Sequence, residues 1–272
     1  MRINSNMTAK TTNRMLTERY ENMGRKMEKL SSGRKINRAG DDSAGLAISE
    51  KMKAQIRGYN KAMQNIQDAI NLVDIADGAL NETHNILQRI RELSVQSAND
   101  TYVNKDRDKL QLEVNELLSE IDKIAGETHY NTKNLIDGFY KEGFNFFVGP
   151  NKDNIYGLIL ENMDNVSLKV EGLNLSSQKL ANESIKKVDL ALEKVSSERA
   201  KLGATHNRLE HSLQNVRIQH DNLANSESRI RDADMAKVIS SYTADKIMMN
   251  SGVSVQVHSN TTPENILRLM GA

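Results

Sequence analysis

The sequence predicts a mainly α protein: a long antiparallel coiled-coil, rod-like helical bundle with a small β-hairpin region, whose terminal helices pair on assembly. Three observations carry this. Apolar residues recur in alternating threes and fours over stretches much longer than an ordinary globular helix. Only two of the 272 residues are proline, so little interrupts those stretches. Two polar breaks, LSSGRKINRAGDDSAGLAI (30–48) and RIRDADMA (229–236), set off a short segment at each end.

Taken in order, Ala9, Leu16, Tyr20, Met23, Met27 and Leu30 form a ladder with Asn13 as its polar rung. This predicts an amphipathic helix of about three heptads, a length that is marginal alone in water and calls for a partner. At the break, Asp41, Asp42 and Ser43 offer an N-cap and negative charge for a new helix. Met52, Ile56, Tyr59, Met63, Ile66, Ile70 and Val73 then repeat in strict spacing. The phase slips by one at Ala76 and resumes through Leu80, Thr83, Leu87 and Ile90. A helix from Ser43 to about Ser97 would be roughly 80 Å long at ~1.5 Å per residue.

Asn99-Asp100-Thr101 signals a turn, and Leu110, Val114, Leu117, Ile121 and Ile124 predict a second helix ending at Gly126. Residues 127–175 change character. Phe144 to Val148, Ile155 to Leu160 and Val166 to Val170 predict two or three short strands, with all four phenylalanines between 139 and 147. From about Ser176 a further rod helix is expected. Its ladder is Ala181, Ile185, Val188, Leu192, Val195, Leu202, Leu209, Leu213, Val216 and Leu223, with Arg199, His206 and His220 on the remaining rungs. Beyond the second break, Met235, Ile239, Tyr242, Ile247 and Met249 suggest a looser helix. Val253, Val255 and Val257 alternate as in a strand, Pro263 breaks the chain, and Ile266, Leu267, Leu269 and Met270 form an apolar stub.

The expected organisation is an N-terminal segment (1–40), rod helices with a β region (41–175), a C-terminal rod helix (176–234) and a C-terminal segment (235–272). The packing and assembly candidates are Leu16, Met23, Met27, Leu30, Ile66, Ile70, Val73, Leu209, Leu213, Val216, Met235 and Tyr242.

Composition narrows the chemistry. Without cysteine there is no disulfide, thiolate nucleophile or cysteine-held zinc. The six histidines lack close metal spacing, and no phosphate loop, dinucleotide fingerprint or nucleophile elbow is present. No catalytic residue, metal or cofactor is expected, and the chain does not read as an enzyme. No run of 18 apolar residues suggests a membrane span, and the N-terminus lacks the apolar core of a cleavable signal. Those physical signals alone describe a soluble cytosolic chain, so any export must use a route that needs neither. The net charge is +1, yet the first forty residues carry ten Lys/Arg against three Glu, a local +7. A basic amphipathic helix suits a membrane surface or nucleic acid, but more often it is a packing helix with a solvated face. A basic coiled-coil nucleic-acid-binding protein is the alternative from a different class; it requires steeply salt-dependent binding.

Three segments, LSSGRKINRAGDDSAGLAI (30–48), GALNETHNILQRIRELSVQSAN (78–99) and SRIRDADMAK (228–237), resemble bacterial flagellin, supported by MRINSN (1–6), NLIDG (134–138) and FFVG (146–149). The resemblance covers nearly the whole chain in order, in a short form lacking large outer domains. It implies a subunit that self-assembles into the helical flagellar filament for motility, outside the cell, after export unfolded through the flagellar type III apparatus. Implied partners are further copies, an export chaperone at the C-terminal segment, a filament cap protein, hook-associated junction proteins and Toll-like receptor 5. No nucleic acid or membrane is among them. Gln88, Arg89, Glu92, Leu93 and Glu113 match the family's receptor-binding positions, Arg89 as a bidentate donor and Leu93 as an apolar anchor. A hook–filament junction protein shares the first break; DADMA followed by an amphipathic helix favours flagellin. SGVSVQVHSNTT (251–262) departs from the family's continuous C-terminal helix.

Overall fold

A computed structural model of the chain describes residues 6–138 and 143–271; Phe139 and residues 1–5 lie outside them. Five helices account for most of the described chain: α1 (Met7–Ser32), α2 (Ser43–Ala98), α3 (Asn104–Glu127), α4 (Gln178–Arg231) and α5 (Met235–Met270). Two antiparallel hairpins lie between α3 and α4: β1 (His129–Tyr130) with β2 (Lys133–Asn134), and β3 (Phe144–Phe147) with β4 (Ile155–Leu158). The chain forms two compact units, Arg57–Asp221, and Met1–Ile56 together with Asn222–Ala272.

In the Arg57–Asp221 unit, α2 and α4 run antiparallel. Tyr59 donates to Gln219, Arg199 pairs with Asp77, and Arg91 pairs with Asp189. The α3 helix folds back along α2, where the turn at 99–103 is secured by a group the hydrophobic pattern does not show. Arg107 is buried, and its guanidinium donates to the carbonyls of Ser97 and Asn99 at 3.0 and 3.1 Å. Those carbonyls close α2, where a helix has acceptors without intrahelical donors. The core is continuous across the three helices. Ile66, Ile70, Val73, Ala76, Leu80, Leu87 and Ile90 of α2 meet Val114 and Ile121 of α3 and Val188, Val195, Leu202 and Leu209 of α4.

Residues 128–177 complete this core from the side: Leu135, Ile136, Leu158, Met163, Val170 and Leu175 are buried in it. Phe144 pairs with Leu158 and Phe147 with Ile155, as the alternating apolar runs predict. The run Val166–Val170 is not a strand. Asp164 and Asn165 wind it into a turn: the Ser167 N–H donates to the Asp164 carboxylate at 2.6 Å and the Val170 N–H to the Asn165 carbonyl at 3.0 Å. Short Asx side chains offering such local bonds override strand propensity.

The α4 seam also differs from expectation by one position on alternate rungs. The buried series is Ala181, Ser184, Val188, Ala191, Val195, Glu198, Leu202, Thr205, Leu209 and Val216. Ile185, Leu192, Arg199, His206, Leu213 and His220 are half-buried flanks. Small and polar residues occupy the true rungs, so a search for large apolar residues lands on their neighbours. Glu198 is the costliest of them to bury. Its carboxylate pairs with Lys201 Nζ at 2.8 Å, and Lys201, also bonded to Glu161, has its pKa pushed up to about 12.

In the other unit, α1 and α5 pair antiparallel within the one chain, which gives α1 the partner its marginal length calls for. The α5 helix runs unbroken through Val253, Val255, Val257 and Pro263, correcting both the strand-like reading and the chain break. Viewed as a helix, Tyr242, Asp245, Met249, Gly252, Gln256 and Ser259 form a regular ladder of covered positions. It was hidden because only two rungs are large and apolar. Gly252 allows close approach: a Cβ there would lie 2.8 Å from Leu16 Cδ2. At Pro263 the missing N–H leaves the Ser259 carbonyl without its usual donor. Asn6 supplies one. Its Nδ2 donates to that carbonyl at 2.8 Å, while its Oδ1 accepts from the Ala9 N–H at 3.0 Å and so caps α1.

Candidate assembly interface

The α1–α5 pair presents two faces. The inner face of α1 is the ladder Ala9, Thr12, Leu16, Arg19, Met23, Lys26 and Leu30. Apolar rungs therefore alternate with polar ones, and Asp245 answers the cations. Its carboxylate accepts from Arg19 Nη1 at 2.8 Å and Lys26 Nζ at 2.5 Å, and the Asp245 side chain is only 7% exposed. The hydrogen bond from Lys26 above all, with that from Arg19, holds Asp245 below the usual aspartate range. Sequence reasoning missed these three residues, although the seven-residue step from Arg19 to Lys26 marks them as one face.

The outward surface is mixed, with apolar side chains standing among polar ones such as Lys10, Arg14, Glu18, Glu21 and Lys246. Met7, Met15, Tyr20 and Met27 of α1 are exposed, as are Ile239, Ile247, Met248, Val253, Val255 and Val257 of α5. Of the terminal candidates, Leu16, Met23, Leu30 and Tyr242 are half-buried in or beside the pair, whereas Met27 and Met235 point outward. Met27 is thus corrected from partner-facing rung to surface residue; Lys26 holds the rung.

The two polar breaks meet as backbone. The Lys35 N–H donates to the Arg231 carbonyl at 2.7 Å, and the Ala233 N–H donates to the Gly33 carbonyl at 2.9 Å. Gly33 closes α1 at φ +71, a left-handed conformation costly for residues with a Cβ. Asp41 accepts from the Asn37 and Arg38 N–H groups, which hold its carboxylate below the ordinary range. Asp42 and Asp234 cap α2 and α5 through the Gly45 and Lys237 N–H groups. Arg231, itself buried, pairs with Glu50 at 2.5 Å.

In the Arg57–Asp221 unit, Ile66, Ile70, Val73, Leu209 and Val216 are buried, and Leu213 is half-buried against the same core. Gln88, Arg89, Glu92 and Glu113 are exposed together. Arg89 donates from Nε and Nη2 to one Glu113 oxygen at 3.0 and 2.9 Å and from Nη1 to Glu92 at 3.2 Å. The bond to Glu113, then that to Glu92, raises the Arg89 pKa. Leu93 stands apart. At 1% exposure it is a core residue one turn on from Arg89, and in this conformation it offers no anchor to a partner. Among the described residues, no three His, Asp or Glu side chains converge as a metal site.

The family model described as the bacterial flagellin N-terminal helical region matches residues 3–141, and the bacterial flagellin C-terminal helical region matches residues 185–270. The chain belongs to the bacterial flagellin family. The flagellar filament 33 kDa core protein of Treponema phagedenis is 41% identical over 285 residues, covering 99% of this chain and 100% of the relative. The flagellin of Bacillus subtilis strain 168 is 40% identical over 303 residues, with the same coverage of each chain. The crystal structure of Bacillus cereus flagellin is similar with TM-score 0.52 and 34% identity, covering 60% of this chain and 94% of that one. This flagellin is a short form. Between α3 and α4 the described residues hold two hairpins and turns, and no large outer domain.

Proposed function

We propose that this flagellin is the structural, non-enzymatic subunit of an extracellular helical flagellar filament used for motility. The observation that carries the reading is the number of large apolar side chains left exposed on the α1–α5 pair, Met7, Met15, Tyr20, Ile239, Ile247 and Val253 among them. Membership of the family supports their burial between subunits. On this reading 1–40 and 235–272 form the inner core of the filament, and 41–175 and 176–234 form its rod layer. Export unfolded through the flagellar type III apparatus fits a chain whose terminal helices hold together through a seam in which polar rungs alternate with apolar ones. A chaperone at the C-terminal segment, a cap protein and hook-associated junction proteins would then be partners. The test is polymerisation of purified chain, followed by sedimentation and electron microscopy. Long helical filaments are expected; short rings alone would favour the hook–filament junction reading, and persistent monomer would defeat both.

The exposed Gln88, Arg89, Glu92 and Glu113 are the surface offered to Toll-like receptor 5. A planar guanidinium between two carboxylates is a pre-oriented donor set. Arg89→Ala should weaken receptor activation by soluble monomer without lowering its thermal unfolding temperature noticeably, since exposed pairs of this kind add little stability. Undiminished signalling would contradict the assignment.

A further inference from the structure

We infer that the terminal helix pair is a site of methionine oxidation that gates assembly, an inference that rests on the filament reading above. The chain contains no cysteine and no tryptophan but 12 methionines, and nine of these fall within 1–32 and 235–270. Thioethers are therefore the most readily oxidised side chains it has. Their exposure is uneven. Met7, Met15, Met27, Met235 and Met248 are 40–66% exposed in the single chain, whereas Met163 in the Arg57–Asp221 core is 1% exposed.

The reactant is a two-electron oxidant of the hydrogen peroxide type. One peroxide oxygen transfers to the methionine sulfur: an S–O bond forms, the O–O bond breaks, the sulfur is oxidised by two electrons and the peroxide leaves as water. The product is a polar sulfoxide in place of a flexible apolar contact. All five lie on the two paired helices that also expose Ile239, Ile247 and the three valines, and Met15 and Met248 line one groove with Leu16 and Gly252. A subunit oxidised there brings unpaired S=O groups into a contact that must exclude water. Once assembled, the same sulfurs are covered and spared. The gate thus acts on chains before they join a filament.

The experiment uses full-length chain and hydrogen peroxide. Peptide mass spectrometry of treated monomer is expected to find sulfoxide at Met7, Met15, Met27, Met235 and Met248 well before Met163. The concentration needed for polymerisation should rise about tenfold or more after treatment, a loss of one decade in association constant. Filaments treated after assembly should acquire little sulfoxide at those positions. A variant with all five changed to leucine should polymerise equally well before and after peroxide. Unimpaired polymerisation of oxidised wild-type chain, or loss of polymerisation by the oxidised leucine variant, would overturn the inference. Failure of the untreated chain to polymerise overturns the filament reading instead. The sulfoxide map does not depend on polymerisation, and Met163 reacting as fast as the five would by itself reject the site.

Discussion

Leu209→Asp is expected to unfold the Arg57–Asp221 unit at room temperature. Leu209 is 1% exposed in the core shared by α2, α3 and α4. Removing its side chain alone costs about 2–5 kcal/mol in cores of this kind. A carboxylate left there without a partner adds several kcal/mol more, by the general cost of an uncompensated buried charge. Together these approach the roughly 5–15 kcal/mol that holds a typical domain folded. Loss of the cooperative thermal transition by circular dichroism is the expected readout. Leu213→Asp, four residues on, should be far milder because Leu213 is half-buried and its new carboxylate can reach water. Equal unfolding by the two variants would contradict the seam drawn here.

The second large effect concerns Asp245. Asp245→Ala leaves Arg19 and Lys26 facing each other on the inner face of α1 without the carboxylate that joins them. The terminal pair should open, with hydrogen exchange over α1 and α5 rising toward that of free helices while the other unit keeps its protection. Acid should mimic the substitution in the wild-type chain. The Asp245 pKa is lowered by folding, so its contribution is complete above the ordinary aspartate value of 3.8 and is lost as pH falls through the depressed native value. Exchange over α1 that is insensitive to both the substitution and acid would show that the seam is held by Leu16, Met23 and Leu30 alone.

The same residues show where sequence reading succeeds and where it stops. The long helices were legible because Ile66, Ile70, Val73, Leu80, Leu87 and Ile90 are large, apolar and regularly spaced. The Asp42 cap was legible because short acidic and hydroxyl side chains mark helix starts. Half the rungs elsewhere were not. Thr12, Arg19 and Lys26 in α1, Ser184, Glu198 and Thr205 in α4, and Asp245, Gly252 and Gln256 in α5 are small or charged, and a periodicity search passes over them. What makes them rungs is a partner on the facing helix, a fact no single segment contains. Val253, Val255 and Val257 failed for the complementary reason: two-residue alternation was real, but the covered ladder Asp245, Met249, Gly252, Gln256 and Ser259 repeats in threes and fours and holds one large apolar residue. Leu93 was misjudged because a motif carries positions and not which side of the helix is covered.

The bond from Asn6 to the Ser259 carbonyl has a consequence for how the two ends find each other. A zipper whose teeth repeat every seven residues can close one notch out of place and still mate most of its teeth. Sliding α1 by one notch moves Asn6 roughly 10 Å, at ~1.5 Å per residue, away from the one carbonyl that Pro263 has left vacant. Elsewhere in a helix a backbone carbonyl is matched to an N–H one turn ahead of it. The residue that reads in the sequence as a terminator is thus the mark that tells the two ends when they are aligned.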